Sequence, residues 1–275
     1  VNAFLHDLFG VSKPIIAMVH LRALPGRPRH GRSAEMRPIV DAVASDLAAL
    51  QDAGVDGLLF CNEADLPYQL QVGEEAAAAM AAVIGEVRRE ITRPFGVDLV
   101  WDPQASLAVA EATGARFVRE VVTGAYESDL GIMRPSLGRL GAYRAGIGAE
   151  SVAIFGNITP EFASPLAQRS IAERARSAAF LGLDAVLISG PITGVPTDQG
   201  QLRAAREAIP DVPVLANTGV TAATAAEILS ICDGAIVGTD LKADGITWNP
   251  VDPARAAKFM AAVRQVREST VSGHG

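Results

Sequence analysis

The sequence predicts a single closed (β/α)8 barrel, and three observations carry that prediction. Eight short, continuously apolar runs recur along the 275 residues, as expected of parallel strands covered by helices. They alternate with helical patterns, and eight such units in about 250 residues is the size of a closed barrel. Five runs also share one opening phrase, a glycine or an acidic residue beside one: AGVDGLLF (53–60), TGARFVREVV (113–122), IGAESVAIF (147–155), LGLDAVLIS (181–189) and CDGAIVG (232–238). Glycine ends a helix in the left-handed conformation, and the β-branched runs that follow are too short for another helix. A doubly wound open sheet would carry G-x-G-x-x-G after its first strand; MVHLRALPG does not supply it.

The elements follow in order. Residues 1–12 read as a short helical prefix packed on the barrel floor. Strands are expected to start near 14 (PIIAMVH), 55, 95 (RPFGVDLVW), 115, 150, 184, 212 (DVPVLANTG) and 235. EMRPIVDAVASDLAALQDAG places Ile39, Val43, Leu47 and Leu50 on one helical face. Asp102–Pro103 and Asp252–Pro253 mark helix starts, a capping carboxylate followed by a proline suited to the first turn. SPLAQRSIAERARSAAFLG and GVTAATAAEILSICDG are further helices. No shift in composition suggests a linker, so 1–268 is read as one barrel domain and 269–275 as a disordered tail.

Composition narrows the partners. Hydrophobic residues make up 49% of the chain and charged ones 20%, a globular balance. A net charge of −7 argues against nucleic acid, which needs a basic footprint, but leaves room for a small anion in one pocket. LRALPGRPRHGR (21–32) is either a solvated loop or a lid closing over such an anion. Two cysteines, Cys61 and Cys232, are too few for a disulfide framework and imply a reduced, cytoplasmic setting. VNAFLHDLFGVSKP does not read as a signal peptide. No run approaches the roughly 20 apolar residues of a membrane span, so a soluble protein is expected, with a homo-oligomer open.

In such a barrel the site lies at the C-terminal ends of the strands. There the sequence offers His20, Glu63, Asp102, Arg119 and Glu120, with Asp98 just inside its strand. His20 is the only one of four histidines at a strand end, and reads as an acid, a base, a metal ligand or a structural group. A carboxylate inside an apolar run must face the barrel interior with a partner, and Arg119 is the candidate partner of Asp98. Asp102 is either a helix cap or a catalytic group. Glu63 and Glu120 are rim carboxylates, proton carriers or ligands of a divalent ion. No spacing specifies a metal or other cofactor, and no G-x-S-x-G elbow occurs.

Loops after the last strands of these barrels often bind phosphate through bare main-chain amides. Asn217, Thr218 and Gly219 end the seventh strand, and Gly238 and Thr239 the eighth. Ser189, Gly190, Thr193 and Gly194 add a third small-residue loop. These glycines either expose amides to an anion or only close tight turns. Asp240 should point away from such a site, while Lys242 either compensates its charge or is solvated.

The stretches AMVHLRALPGRP (17–28), NEADLPY (62–68), TGAYESDLG (123–131), SGPITGVPTD (189–198), NTGVTAATAAEIL (217–229) and DGAIVGTDLKADGITWNPVDPARAAKFM (233–260) resemble the BtpA/SgcQ family. The resemblance implies a phosphate-binding-type barrel. It also points to an association with photosystem I biogenesis in one cyanobacterial member and with sugar-uptake gene settings in others. Where the family pattern reads GVNVLRNDA, this chain reads GVDLVWDPQA, with Asp98 for asparagine and Trp101 for arginine. Strand four reads FVREVVTGA in place of an Arg-Val-Asn type of sequence. Two functions are consistent with these readings. One is an enzyme acting by acid–base chemistry on a small phosphorylated, phosphosugar-like metabolite, as isomerase, lyase or hydrolase. The other is a non-catalytic accessory protein for assembly of a membrane complex.

Overall fold

The computed structural model describes residues 2–31 and 35–272. A short helix, α1 (Ala3–Phe9), precedes strand β1 (Ile15–His20), helix α2 (Arg37–Ala53), β2 (Gly57–Cys61), α3 (Glu74–Val87), β3 (Phe95–Asp98), α4 (Pro103–Thr113) and β4 (Phe117–Glu120). Two short strands follow, β5 (Tyr126–Ser128) and β6 (Gly131–Met133), then α5 (Leu137–Gly146), β7 (Ala153–Asn157) and β8 (Ala163–Pro165). The remainder is α6 (Ile171–Phe180), β9 (Ala185–Ile188), α7 (Gln199–Ala208), β10 (Val214–Ala216), α8 (Ala225–Ile231), β11 (Gly234–Val237) and α9 (Pro253–Ser272).

Eight parallel strands close the barrel in the order β1-β11-β10-β9-β7-β4-β3-β2, each beginning within three residues of its expected start. Strand alternation sorts their side chains. Ile15, Ala17, Leu58, Phe60, Val97 and Val118 join the layer beneath the helices. Ile16, Met18, Leu59, Phe117, Phe155, Leu187, Leu215 and Ile236 fill the interior. Phe117 and Phe155 stack at 4.7 Å in the middle of it. Gly96 makes room for them, because a Cβ there would collide with the Phe117 ring.

The helix expected over the first residues closes the barrel floor. Asn2 caps it, and Leu5 and Phe9 join the interior cluster, with Phe9 edge-on to Phe117 at 5.7 Å. Asp102 and Pro103 start α4 as expected. The C-terminal helix runs to Ser272, so residues 269–272 are helical where a disordered tail was expected; 273–275, including His274, lie outside the described residues.

One feature of the fold has no counterpart in the expected pattern. β5 pairs antiparallel with both β6 and β8, a small three-stranded sheet built from the loops after β4 and β7. Tyr126 is buried in it and donates its hydroxyl to Ile158 O at 3.3 Å.

Truncating the floor plug tests this packing. Phe9→Ala should cost about 3 kcal/mol, the low end for a buried phenylalanine, read as a lower midpoint in denaturant with unchanged slope.

Candidate functional site at the barrel mouth

Above the interior phenylalanines the inward positions turn polar. The alternation that buries Phe117 also points Arg119 inward, and the same parity brings in Asp98, Asn157, Ser189 and Asn217. Arg119 donates from Nη1 to Asp98 Oδ2 at 2.6 Å and from Nη2 to Glu161 Oε1 at 2.8 Å. Asn157 Nδ2 donates to Glu161 Oε2 at 3.1 Å and to Ser189 Oγ at 2.9 Å. Asn217 Nδ2 reaches Ser189 Oγ at 2.5 Å and Glu161 Oε1 at 3.3 Å. This contact with a carboxylate fixes the amide's orientation and leaves Asn217 Oδ1 buried without a partner among the described residues.

Two small cavities meet on this layer. One, of about 30 Å³, is bordered by Glu63, Asp98, Arg119, Glu120 and Glu161 beneath Tyr68, Trp101 and Phe162. The other, of about 40 Å³, is bordered by His20, Thr193, Gly194, Asn217, Thr218, Gly219, Gly238 and Thr239. Glu63, Arg119, Glu161 and Thr193 border both.

The acid side is crowded. Burial pushes the Glu63 carboxyl above its ordinary value, and Arg119 restrains it only in part. Its hydrogen bonds are long, 3.4 Å from Thr193 Oγ1 and 3.5 Å from Cys61 Sγ. Burial likewise raises Asp98 against the pull of Arg119. The guanidinium itself is held above its ordinary value by Glu161 and then Asp98, in spite of its burial.

Burial, then the Lys242 charge, pushes His20 down to about 3. The ring is therefore neutral at physiological pH. Its Nδ1 lies 3.4 Å from Thr247 O, so the proton sits there and Nε2 is left as an acceptor.

The structure sorts the sequence candidates. His20, Glu63, Asp98 and Arg119 converge on the mouth. Glu120, of opposite parity, turns toward the helix layer and borders the acid cavity from its outer wall; Ser106 Oγ of α4 donates to its Oε1 at 2.5 Å. Its Oε2 is buried without a partner among the described residues, and burial followed by Asp98 holds the carboxyl well above its ordinary value. Asp102 is corrected to a cap: Oδ1 accepts Ala105 N at 3.1 Å and Oδ2 accepts Val72 N at 2.9 Å.

The small-residue loops divide as well. The Gly190 amide donates to Thr218 Oγ1 at 2.6 Å, and Ser189 N donates to Thr159 Oγ1 at 2.6 Å. Thr218 Oγ1 in turn donates to Val195 O at 3.0 Å. Ser189, Gly190 and the Thr218 hydroxyl are thus corrected from anion donors to braces of the 190–196 loop. Gly219, with φ +65°, lets that loop pack, because a Cβ would collide with Pro196. The amides of Gly219, Gly238 and Thr239 find no partner among the described residues and border the second cavity.

Neighbouring charges are withdrawn from the mouth. Asp240 accepts Ala222 N at 2.9 Å and pairs with Arg255. Lys242 is fully buried and pairs with Asp46 at 2.8 Å, so it is a structural cation. In the arginine loop, Arg27 is buried and tied to Glu75 and Gln69, each at 2.6 Å, which removes it from any lid; Arg32 lies outside the described residues. Among the described residues no group of three His, Cys, Asp or Glu side chains is placed to hold a metal ion.

Sequence reasoning missed Glu161, Tyr68 and Phe162, and named Trp101 at the mouth without foreseeing its aromatic packing. Glu161 had one signal, since a guanidinium offers two faces and Asp98 fills only one. Trp101, with φ +70°, packs edge-on against Tyr68 at 5.5 Å and Phe162 at 6.4 Å.

Fold and mouth together define a (β/α)8 barrel with an acid-lined cavity beside exposed strand-end amides. Comparison with known proteins places it further: residues 11–265 match the BtpA family, and the chain belongs to that family. It is 44% identical to the putative sgc region protein SgcQ of Escherichia coli K12, over 96% of this chain and 99% of that one. It is 28% identical to the photosystem I biogenesis protein BtpA of Synechocystis sp. PCC 6803, over 98% of this chain and 94% of the relative. Among solved structures, (S)-3-O-geranylgeranylglyceryl phosphate synthase from Thermoplasma acidophilum, in complex with sn-glycerol-1-phosphate, shares the fold. Its TM-score is 0.63 at 12% identity, covering 96% of this chain and 99% of that one. No helix among the described residues is long and apolar enough to cross a membrane.

Glu120 gives the site a pH signature. An unfolded carboxyl ionises near its ordinary value of 4.5, whereas folded Glu120 keeps its proton to higher pH. Above that value the unfolded state binds fewer protons, so the native state loses stability as pH rises, by up to about 1.4 kcal/mol per pH unit. Glu120→Gln removes this loss. Its melting temperature relative to the parent should shift in the variant's favour between about pH 5 and about pH 8; a constant difference would contradict the assignment.

Proposed function

We propose that the protein is an enzyme that acts by acid–base chemistry on a small phosphorylated metabolite of phosphosugar type. One observation carries the reading: a cavity with unpartnered amides and a cavity with protonatable carboxyls share the walls Glu63, Arg119, Glu161 and Thr193. A phosphate would sit on the amides of Gly219, Gly238 and Thr239, with Thr193 and Gly194 opposite. The glycine at 238 suits this, because a Cβ would stand 3.1 Å from His20 Cε1 and press into the space the anion needs.

The reacting end would then face Glu63. A buried carboxyl with a raised pKa is suited to carry a proton near neutrality, and Glu63 is not tied to the guanidinium. Arg119 keeps Asp98 and Glu161 in place and offsets their charge. Neutral His20 offers Nε2 as an acceptor, and Asn217 Oδ1 is a second acceptor for a substrate hydroxyl. Isomerase, lyase and hydrolase chemistry can each use these groups. Asp98 and Glu161 already serve Arg119, so a divalent ion has no ready ligand set, and no step is assigned to one.

An accessory role, suggested by the name of the Synechocystis relative, leaves the mouth without purpose. Four carboxyls buried around one guanidinium are costly to keep unless chemistry uses them.

A thermal-shift panel of phosphorylated sugars, with and without divalent ions, tests the reading. A ligand at a hundred times its Kd should add about 2.7 kcal/mol of stability. Gly238→Glu should abolish that gain while remaining folded; retained binding would refute the cradle. Once a substrate is in hand, Glu63→Gln should keep the thermal shift and lower kcat at least about a hundredfold.

A further inference from the structure

The two cavities at the mouth are small. Spaces of about 30 and 40 Å³ admit a few waters or one compact group, whereas ligand pockets usually span about 300–1,000 Å³. A metabolite whose reacting atoms reach Glu63 must therefore place most of its bulk elsewhere. The adjoining space is a groove of about 440 Å³ between the starts of α4 and α5 and the end of β6. Trp101 and Val121 border both this groove and the acid cavity.

The groove has the character of a binding site. Its apolar wall is made by Trp101, Leu70, Met133 and Leu140. Its charged groups are Asp102, Arg134 and Arg139. Both Asp102 oxygens are engaged by amides, while neither arginine side chain has an ion pair or hydrogen bond among the described residues. Two unpaired guanidiniums sharing one concavity repel each other and favour an anion between them. Trp101 holds a backbone conformation that bulky residues avoid, and its ring is fixed from the other side by Tyr68 and Phe162. An aromatic ring held in that way serves as a rigid platform at the junction of the two spaces.

We propose that this groove is a second subsite, which takes an apolar-bodied anion, an aryl or alkyl carboxylate or phosphate, lying on Trp101 and held by Arg134 and Arg139. The substrate is then a two-ended anion, with its phosphorylated end in the cradle, its scissile or rearranging centre at Glu63 and its second anionic end in the groove. The link to the cradle rests on the function proposed above; the groove as an anion site does not.

The test uses the full chain carrying Trp248→Phe, which leaves Trp101 as its only tryptophan. Tryptophan fluorescence is titrated with p-nitrobenzoate, p-nitrophenyl phosphate and neutral p-nitrobenzyl alcohol. Saturable quenching by at least one anion and none by the alcohol is expected. Arg134→Ala combined with Arg139→Ala, both exposed positions, should raise Kd at least tenfold with an unchanged melting temperature. The carboxylate and phosphate arms show which anion is preferred. Gly238→Glu should leave p-nitrobenzoate binding intact, so failure of the cradle and failure of the groove are separable. Unsaturable quenching by all three probes, or equal affinity in the double-arginine variant, overturns the groove; so does p-nitrophenyl phosphate binding that only Gly238→Glu removes.

Discussion

The mouth depends on one ionic arrangement, the guanidinium of Arg119 held between Asp98 and Glu161. Each partner alone would be a charge taken out of water without repayment. Together they make three side chains from β3, β4 and the loop after β7 into one rigid unit, and Asn157, Asn217 and Ser189 hydrogen-bond around it. The arrangement is possible only because strand alternation places Arg119 on the inward side, two residues above Phe117. A shift of one residue in β4 would send Arg119 into the helix layer and bring Glu120 inward, with no cation to meet it.

That triad also sets the charge of the cavity. Lys242 is spent on Asp46, Asp240 on Arg255, and His20 is neutral, so Arg119 is the cation bordering both mouth cavities. Both of its terminal nitrogens are already engaged by carboxylates. Glu63 and Glu120 make no ion pair among the described residues, and burial raises both carboxyls above their ordinary values. The unpartnered amides of Gly219, Gly238 and Thr239 border the second cavity without adding an ionisable group, so the anion proposed to bind there need not compete for Arg119.

How far all this was legible follows from the range of each determinant. The barrel was legible because its signals are local: glycine after a helix, a short apolar run, Asp-Pro at a helix start. The Asp98–Arg119 pair was legible because a carboxylate within an apolar strand must face a partner. Glu120 borders the acid cavity, but from its outer wall, because its neighbour Arg119 takes the inward place, and parity at a strand end cannot be read without fixing the register. Glu161, Trp101 and Phe162 lie in loops that carry no periodicity, and the sheet of β5, β6 and β8 is built from strands of three residues, too short to show alternation. Ser189 and Gly190 looked identical in sequence to the loops whose amides are left unpartnered. Only the hydroxyls of Thr159 and Thr218, brought in from other strands, show that those amides are already satisfied.

The chain's departures from the BtpA-type pattern gain a physical meaning from this geometry. Aspartate for asparagine at 98 adds a negative charge beside Arg119, and tryptophan for arginine at 101 removes a positive one from the rim. The two changes move the mouth by two charges in the same direction. The new carboxylate is absorbed by Arg119, which Glu161 alone would leave half-engaged. The vacated rim position is taken by a fixed ring that divides the acid cavity from the groove beyond. Arg134 and Arg139 lie beyond the ring, bordering that groove. With the cradle and the groove read as proposed above, the buried carboxyls of Glu63 and Glu120 lie between the two proposed anion-binding ends.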